Sequence, residues 1–189
     1  MRVLVPIADG TEEIELAAIS DTLVRCGCDV TTAAVTKDHR QNTYVTCARG
    51  LRVVHDTHID HVHVNDYDAI AIPGGMPGAK HLADSATLAN MLRALADNPK
   101  KLIGAVCASP AVVLHKHGIL PARFTCYPAP AFTDAVGDGW IDAKVVVDGN
   151  IVTSQGPGTS LQLALKMGEI LCGVSKAHEV AKALLTEMP

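Results

Sequence analysis

Cys107 is the residue whose surroundings in the sequence point most clearly to chemistry. It lies in LIGAVCASP, where the apolar strand residues Leu102–Val106 pass directly into the predicted start of a helix at Ser109. A side chain at such a junction is held on a tight turn and faces the first free N–H groups of the helix. Because these groups favour an anion, we expect the pKa of Cys107 to be lowered and its thiolate to be a nucleophile. The alternative is a buried structural thiol, because free cysteine is among the most buried residue types.

Glu15 is the second candidate. It follows the apolar Ile14 near the start of the first predicted helix, whereas Glu12 and Glu13 are expected to face solvent. A carboxyl group buried beside a thiolate has a raised pKa, because two neighbouring negative charges are unfavourable. The protonated carboxyl would donate a hydrogen bond to sulfur and act as a general acid. The alternative is an ordinary first-turn acid that complements the helix dipole.

Two glycine-containing turns are candidates for binding through backbone groups. Gly74 and Gly75 follow a predicted strand and offer N–H groups to an oxyanion, or they form a turn that needs unusual φ values. The segment GGMPGAKH is not a P-loop, because its glycine spacing is wrong and no Ser or Thr follows Lys80. The turn at Gly156-Pro157-Gly158 is expected to be rigid and to cap the next helix.

Metal binding is not expected. Four histidines share a polar connection but lack a cysteine or carboxylate at a recognised ligand spacing: His55, His58, His61 and His63. The six cysteines, at positions 26, 28, 47, 107, 126 and 172, form no C-x-x-C motif. Cys26 and Cys28 are expected to serve helix packing, and Arg25 and Arg49 are surface charges by default.

The elements that must position these residues alternate between strand and helix. Apolar runs predict buried strands at 3–8, 30–35, 69–72 and 102–106, with a hairpin at 145–147 and 151–153. Helical patterns begin after Thr11 and cover 85–96, 109–117, 159–171 and 177–185, while 36–66 is polar and irregular, with strand-like pieces at 44–46 and 51–54. This order predicts one α/β domain over 1–189, with a mostly parallel sheet and helices on both faces. Ligands of such sheets bind beyond the carboxyl ends of the strands, where segments 9–15, 73–78 and 106–110 would meet.

Composition excludes several classes of function. A formal charge of −4 and 3% aromatic residues argue against a nucleic-acid surface. No stretch approaches the roughly 18 apolar residues of a membrane span. The first apolar run meets Asp9, Glu12 and Glu13 at once, so it is interpreted as a strand and not as a signal peptide. Reduced thiols and a cytoplasmic location are therefore expected.

Four sequence blocks together resemble the ThiJ/PfpI superfamily. They are DGTEEIE at 9–15, IPGGMPGAKHL at 72–82, GAVCASP at 104–110 and TSQGPGTSLQLAL at 153–165. The similarity covers nearly the whole chain and is strongest to the subgroup of the Parkinsonism-associated DJ protein and bacterial ThiJ/YajL-like proteins. It implies a flavodoxin-like doubly wound sandwich, a homodimer and chemistry without a cofactor.

The resemblance also implies roles for individual residues. Cys107 would be the nucleophile, Glu15 the carboxyl bonded to it, and Gly75 and Ala108 the backbone donors. Further candidates near the pocket are Gly74, Tyr127, Pro157, Arg49 and Arg25, the two arginines also lying near the dimer interface, with Cys47 as a second, peripheral redox thiol.

Two departures from the family pattern stand out. The block RFTCYP places Tyr127 where the subgroup often has a histidine, and Ala108 follows Cys107 where protease-like branches place a histidine. With a pKa of about 10, tyrosine is a poor base at neutral pH, which bears on the glyoxalase rate more than on thiol activation.

Three functions remain to be weighed. The first is a glyoxalase- or deglycase-like enzyme, in which Cys107 attacks a small 2-oxoaldehyde or its adduct on a glycated protein. The second is a redox sensor or chaperone-like stress protein, in which Cys107 oxidises to a sulfinate stabilised by Glu15. A cysteine hydrolase is a distant third, because no histidine is adjacent to the nucleophile.

Overall fold

A sheet of seven strands forms the centre of the fold. The structure is a computed structural model that describes residues 1–36 and 43–189, so residues 37–42 of the segment expected to be irregular lie outside the described residues. The sheet contains β1 (Arg2–Ile7), β2 (Asp29–Ala34), β5 (Thr57–His58), β6 (Ala69–Ile72), β7 (Leu102–Val106), β8 (Val145–Asp148) and β9 (Ile151–Ser154) in the order β5-β2-β1-β6-β7-β9-β8. Only the β8–β9 pair is antiparallel among these strands. Strands β3 (Tyr44–Thr46) and β4 (Arg52–Val54) form a separate hairpin.

Helices cover both faces of the sheet, as predicted for a doubly wound fold. They are α1 (Glu13–Arg25), α2 (Gly78–Ala83), α3 (Ala86–Ala96), α4 (Pro130–Val136), α5 (Ser160–Cys172) and α6 (Val174–Ala183). Side chains of a strand alternate between faces, so Leu4 packs with α2 and α3 whereas Val3 and Val5 pack with α1 and α5. Every residue from Leu102 to Val106 is buried, because both faces of β7 are covered.

The predicted elements are largely present, with several corrections. Glu12 caps α1, and its carboxylate accepts the Glu15 N–H over 2.8 Å, whereas Thr11 instead accepts the N–H of Ala8. The helix expected over 109–117 is a π-helical turn, Pro110–Leu114, in which His115 N–H donates to the Pro110 carbonyl. The short helices α2 and α4 were not predicted, because neither has enough turns to show a helical period.

The order of the strands creates a crevice at one edge of the sheet. The chain places β2 on one side of β1 and, after β5, returns to place β6 on the other side. At such a reversal the connections leave the carboxyl ends of the two strands in opposite directions and open a cleft between them. The segments that follow β1, β6 and β7 meet there. No helix in the described residues is long and apolar enough to cross a membrane.

Candidate active site

Cys107 lies on a strained turn at the carboxyl end of β7. Its φ is 63°, a left-handed value that a residue with a side chain rarely adopts. Two backbone hydrogen bonds hold the turn: Cys107 N–H donates to the Ser154 carbonyl over 3.0 Å, and Tyr127 N–H donates to the Cys107 carbonyl over 2.8 Å. The strain is thus maintained by the neighbouring β9 and by the loop at Tyr127, and it turns the half-buried thiol toward the crevice.

Two backbone amides point at the sulfur. The N–H groups of Gly75 and Ala108 both hydrogen-bond to Cys107 and favour its ionised form. Gly75 has a φ of 89°, and a Cβ there would lie 2.4 Å from the carbonyl oxygen of Gly10. Only glycine fits this close approach, which places its N–H beside the thiol. The structure therefore places both proposed backbone donors at the sulfur.

Glu15 reaches the same point from the first turn of α1. Its side chain is completely buried, and its Oε2 accepts the N–H of Gly74 over 2.6 Å. Burial raises the pKa of Glu15 from 4.5 to about 7, although the hydrogen bonds from Gly74 and Cys107 act in the opposite direction. Gly74 lies against both side chains and leaves no room for a side chain of its own. A Cβ on it would lie 2.7 Å from Cβ of Cys107 and 2.9 Å from Oε2 of Glu15.

The pKa of Cys107 corrects the expectation of a lowered value. Burial is the largest influence and, with the charge of Glu15 and the hydrogen bond to it, raises the pKa of the Cys107 thiol to about 12. The amides of Gly75 and Ala108 lower it, as the turn predicted, but they are outweighed. The sequence indicated the amides without revealing how deeply the sulfur would be buried.

Near neutral pH Glu15 loses its proton while the Cys107 thiol keeps its own, so the pair passes from two protons to one. Two of the three influences that raise the thiol pKa come from an ionised Glu15, and both vanish when the carboxyl takes up the proton. The protonated carboxyl then becomes a donor to the sulfur, together with the two amides. Above pH 7 the pair holds one proton, mainly on sulfur, and its other arrangement carries a thiolate beside a carboxylic acid.

The sulfur lies at the wall of a cavity of about 330 Å³. Phe132 packs edge-on against the ring of Tyr127, with centroids 6.0 Å apart. Four of the lining residues were not among the predicted site residues: Glu12, Ala48, Met76 and Phe132. The predicted residues in the lining are Cys107, Gly75, Ala108, Tyr127, Arg49 and Pro157.

Arg49 is brought to the cavity by contacts with the start of α1. Its backbone N–H donates to both carboxylate oxygens of Glu13, over 2.9 and 3.1 Å. Ala48 N–H donates to the Thr11 carbonyl over 2.8 Å. Glu12 is 8% exposed and not solvated as expected, because it serves as the helix cap.

Two further predicted residues lie away from the cavity. Arg25 is in the last turn of α1, at the opposite end from Glu15, and pairs with Asp21 over 2.6 Å. Within a single chain it is therefore not a pocket residue. Cys47 is buried, and burial together with Glu13, Glu12 and Asp9 raises the pKa of its thiol to about 11. These surroundings disfavour the thiolate that a redox role for Cys47 would need.

Other polar clusters do not join this site. Within residues 1–36 and 43–189, no three His, Cys, Asp or Glu side chains are grouped to hold a metal ion. A larger cavity of about 590 Å³ lies near the carboxyl end of β2, with His58 and His81 in its lining, and it contains neither Cys107 nor Glu15. The larger cavity and the Glu15–Cys107 pair are therefore separate features of the fold.

Comparisons with known proteins agree with this site and fold. The DJ-1/PfpI family matches residues 1–170. The glutathione-independent glyoxalase DJR-1.2 of Caenorhabditis elegans is 37% identical over 183 residues, which cover 96% of this chain and 94% of that protein. Protein DJ-1 homolog B of Arabidopsis thaliana is 41% identical over 185 residues, 97% of this chain but only 41% of the plant protein. The structure of oxidized Toxoplasma gondii DJ-1 superimposes with a TM-score of 0.89 at 43% identity and covers 98% of each chain. The chain belongs to the DJ-1/PfpI family.

Proposed function

We propose that this protein converts small 2-oxoaldehydes such as methylglyoxal into 2-hydroxy acids, without glutathione and without a cofactor. The observation that carries the proposal is the buried Glu15 carboxyl, with a pKa of about 7, beside the Cys107 thiol at the wall of a cavity, because the reaction needs a nucleophile and a proton carrier at one carbon. The name of the nematode relative, a glutathione-independent glyoxalase, supports the same chemistry.

The first half of the reaction forms a covalent adduct. The Cys107 thiolate attacks the aldehyde carbon C1, and the carbonyl electron pair moves to oxygen, which takes the proton held by Glu15. The N–H groups of Gly75 and Ala108 stabilise the oxyanion while it forms. The product is a hemithioacetal, and Glu15 is left as a carboxylate that can act as a base.

The second half moves hydrogen within the adduct. Glu15 removes the proton from C1 to give an enediolate and returns it to C2, while the C1 hydroxyl proton passes to the C2 oxygen. C1 is thereby oxidised to a thioester and C2 is reduced to an alcohol. Water then cleaves the thioester, releasing the 2-hydroxy acid and restoring the thiol. A Glu15 pKa of about 7 suits both donation and removal of a proton.

The direct test measures lactate formed from methylglyoxal by purified protein in glutathione-free, chelator-treated buffer. Wild-type protein is expected to form lactate, and Cys107→Ala is expected to fall to the uncatalysed background. Cys172→Ser is the matched control, because this half-buried thiol lies outside the cavity. Lactate formation by Cys107→Ala at the wild-type rate would refute the proposal.

Adducts of the aldehyde on proteins are the second substrate class. A rapidly reversible adduct can lose its aldehyde before the enzyme acts, so apparent deglycation can arise from free aldehyde alone. Following adduct loss and free methylglyoxal together distinguishes the two. Direct action on the protein requires adduct loss faster than the spontaneous release of aldehyde, and the same Cys107→Ala variant should abolish it.

A redox-sensing role for Cys107 is the second candidate function. The two amides and a protonated Glu15 would donate hydrogen bonds to sulfinate oxygens, and the Toxoplasma relative bears the description "oxidized". Intact mass spectrometry after mild peroxide treatment should show a gain of two oxygens located at Cys107. Oxidation scattered over the other cysteines would argue against a dedicated sensor.

We also propose that the protein is a homodimer. Large apolar side chains stay exposed near the start of α1 and around the β3–β4 hairpin: Ile14 is 58% exposed, Leu51 55% and Val54 72%. The hydrogen bond from Arg49 N–H to Glu13 joins the hairpin to the start of α1, and a patch of exposed apolar side chains marks a surface that another protein covers. Light scattering should give twice the chain mass for wild type, and Ile14→Glu should shift the equilibrium toward monomer. A wild-type protein that is monomeric at all concentrations tested would contradict this proposal.

A further inference from the structure

A second pair of thiols lies close together outside the active site. Sγ of Cys28 is 3.5 Å from Sγ of Cys172, although the two residues are 144 positions apart in the chain. Both are free thiols. Cys28 directly precedes β2, and Cys172 is the last residue of α5. The proposed reaction at Cys107 uses neither of them.

The backbone around both cysteines is fixed by helix ends. Cys28 N–H donates to the Leu23 carbonyl over 3.0 Å, after Gly27 with a φ of 93°. Gly173, with a φ of 98°, donates its N–H to the Glu169 carbonyl over 3.0 Å directly after Cys172. The side-chain torsions are thus the main freedom left to the sulfurs. A disulfide bond is about 2.05 Å long, so the sulfurs need to approach by only about 1.5 Å.

The two thiols differ in their access to solvent. Cys28 is only 5% exposed, whereas Cys172 is half-buried and meets solvent beside the exposed Gly173. A small oxidant therefore reaches Cys172 first and finds Cys28 directly behind it. This arrangement of an accessible thiol and an adjacent resolving thiol is typical of cysteines that form reversible disulfides.

We propose that Cys28 and Cys172 form a reversible disulfide in the presence of a hydroperoxide, linking the C-terminal ends of α1 and α5. The Cys172 thiolate attacks one peroxide oxygen, giving a sulfenic acid and releasing hydroxide, or an alkoxide from an organic hydroperoxide. The Cys28 thiolate then attacks the sulfur of the sulfenic acid, forming the S–S bond and expelling a second hydroxide. Two thiols are oxidised by two electrons in total, and the peroxide is reduced.

The electrostatics of the pair favour this order of events. Burial, the hydrogen bond with Cys172 and the charge of an ionised Cys172 raise the pKa of the Cys28 thiol to about 12. A sulfenic acid at Cys172 is neutral, so its formation removes the charge and changes the hydrogen bond. Cys28 is therefore easier to ionise after Cys172 has reacted, which is when its thiolate is needed.

Cys26 provides a matched comparison. It is buried next to the pair, but its sulfur packs against α5, where a Cβ on Gly168 would lie 2.5 Å from it. Cys26 and Cys28 are two residues apart, so any protease fragment that holds one of them is apt to hold the other. Tandem mass spectra that break the chain between them, together with single substitutions, separate the two.

The test uses the full chain carrying Cys107→Ser, so that oxidation of the active-site thiol does not interfere. Hydrogen peroxide is added at neutral pH, remaining thiols are blocked, and cross-linked peptides are sequenced before and after reduction with dithiothreitol. The expected result is a Cys28–Cys172 cross-link in most molecules that disappears on reduction. Cys26→Ser should retain it, and Cys172→Ser should lose it while keeping its melting temperature in the reduced state.

Stability gives a second readout. Because the bond would close a long loop, oxidised protein should melt about 5 °C or more above reduced protein, and Cys172→Ser should show no such difference. Two results would overturn the proposal. One is a cross-link that joins Cys172 to Cys26 instead, and the other is over-oxidation of Cys172 to sulfinic acid without any cross-link.

Discussion

The backbone N–H of Gly74 donates a hydrogen bond to Oε2 of Glu15 over 2.6 Å, at the point where β6 ends and α1 begins. This bond favours the carboxylate, yet burial outweighs it and leaves the pKa of Glu15 at about 7. The two carboxyl forms are therefore close in free energy at neutral pH. A group in this condition can give and take a proton within one catalytic cycle.

Replacing Glu15 with glutamine should change how the reactivity of Cys107 depends on pH. In wild-type protein, alkylation by iodoacetamide should rise toward pH 7, as the pair loses its first proton, and then level off. Glu15→Gln keeps an acceptor for Gly74 but cannot ionise, so the charge that opposes the thiolate is gone. Its alkylation should follow a single titration, with a pKa below that of the wild-type thiol and without the rise toward pH 7.

The same substitution should nearly abolish lactate formation, because the amide cannot carry the C1 proton. If Glu15→Gln loses turnover while its Cys107 thiol ionises more readily, the role of Glu15 as carrier of the C1 proton is separated from its effect on the thiol pKa. Identical alkylation profiles for wild type and Glu15→Gln would show that the carboxyl and the sulfur do not share a proton.

Glu15 should also make the free energy of unfolding depend on pH. Its pKa is about 7 in the folded protein against 4.5 when unfolded, so the folded state holds the proton more tightly. The contribution of Glu15 to the free energy of unfolding is fully present below pH 4.5 and is lost as pH rises toward and through 7. Because one pKa unit corresponds to about 1.4 kcal/mol, the loss is as much as about 3 kcal/mol.

Urea denaturation across this range, compared with Glu15→Gln, checks the sign. The difference in unfolding free energy between variant and wild type should shift in favour of Glu15→Gln as pH rises from 4 to 8. Glu13→Gln is the control, because it keeps an acceptor for the Arg49 N–H and its carboxyl is not fully buried. An equal pH trend in wild type and Glu15→Gln would rule out a raised pKa.

The sheet could be predicted from sequence because its strands are short, apolar and separated by glycine or proline. The run from Leu102 to Val106 is an example: both faces are covered, so nearly every residue is apolar. The π-helical turn after it could not be predicted, because a five-residue element shows no repeating pattern in the sequence. Short elements such as α4 lack a repeating pattern altogether.

Glu15 and Cys107 could be identified as candidates from the sequence, but the direction of the Cys107 pKa shift could not be predicted. Cys107 follows a strand directly, and Glu15 lies one turn into a helix, both of which are visible in the sequence. Burial depth depends on segments far apart in the chain, here Gly74 and the loop at Tyr127, which close around the sulfur. The sign of the Cys107 pKa shift therefore needed the three-dimensional structure.

A methyl group at Gly74 should separate Glu15 from Cys107. The added Cβ would lie within 3.0 Å of three atoms, two of them in Glu15 and Cys107, so Gly74→Ala must displace one of these side chains. Lactate formation should fall by at least about 100-fold, since misplacing a catalytic group by about 1 Å can have that effect. The free energy of unfolding should fall by about 1–3 kcal/mol.

Gly158→Ala is the matched substitution, because no atom lies within 4 Å of a Cβ there. It should keep wild-type turnover and stability. If Gly74→Ala were fully active while folded, the close approach of the pair would not be needed for the reaction.

Tyr127 offers a way to test what limits the rate. It lines the cavity, its side chain is 43% exposed, and its backbone is fixed by the hydrogen bond to Cys107, so its ring can be changed at little expense to folding. A tyrosine hydroxyl is a weak base at neutral pH, whereas histidine has a pKa of about 6.5. Tyr127→His should therefore raise kcat roughly 10-fold and add a titration near that pKa to the pH–rate profile.

Tyr127→Phe should stay within about twofold of wild type if Glu15 alone carries the proton. A large loss in Tyr127→Phe would instead assign the hydroxyl a part in the reaction, and no gain in Tyr127→His would show that proton transfer to a second base does not limit turnover.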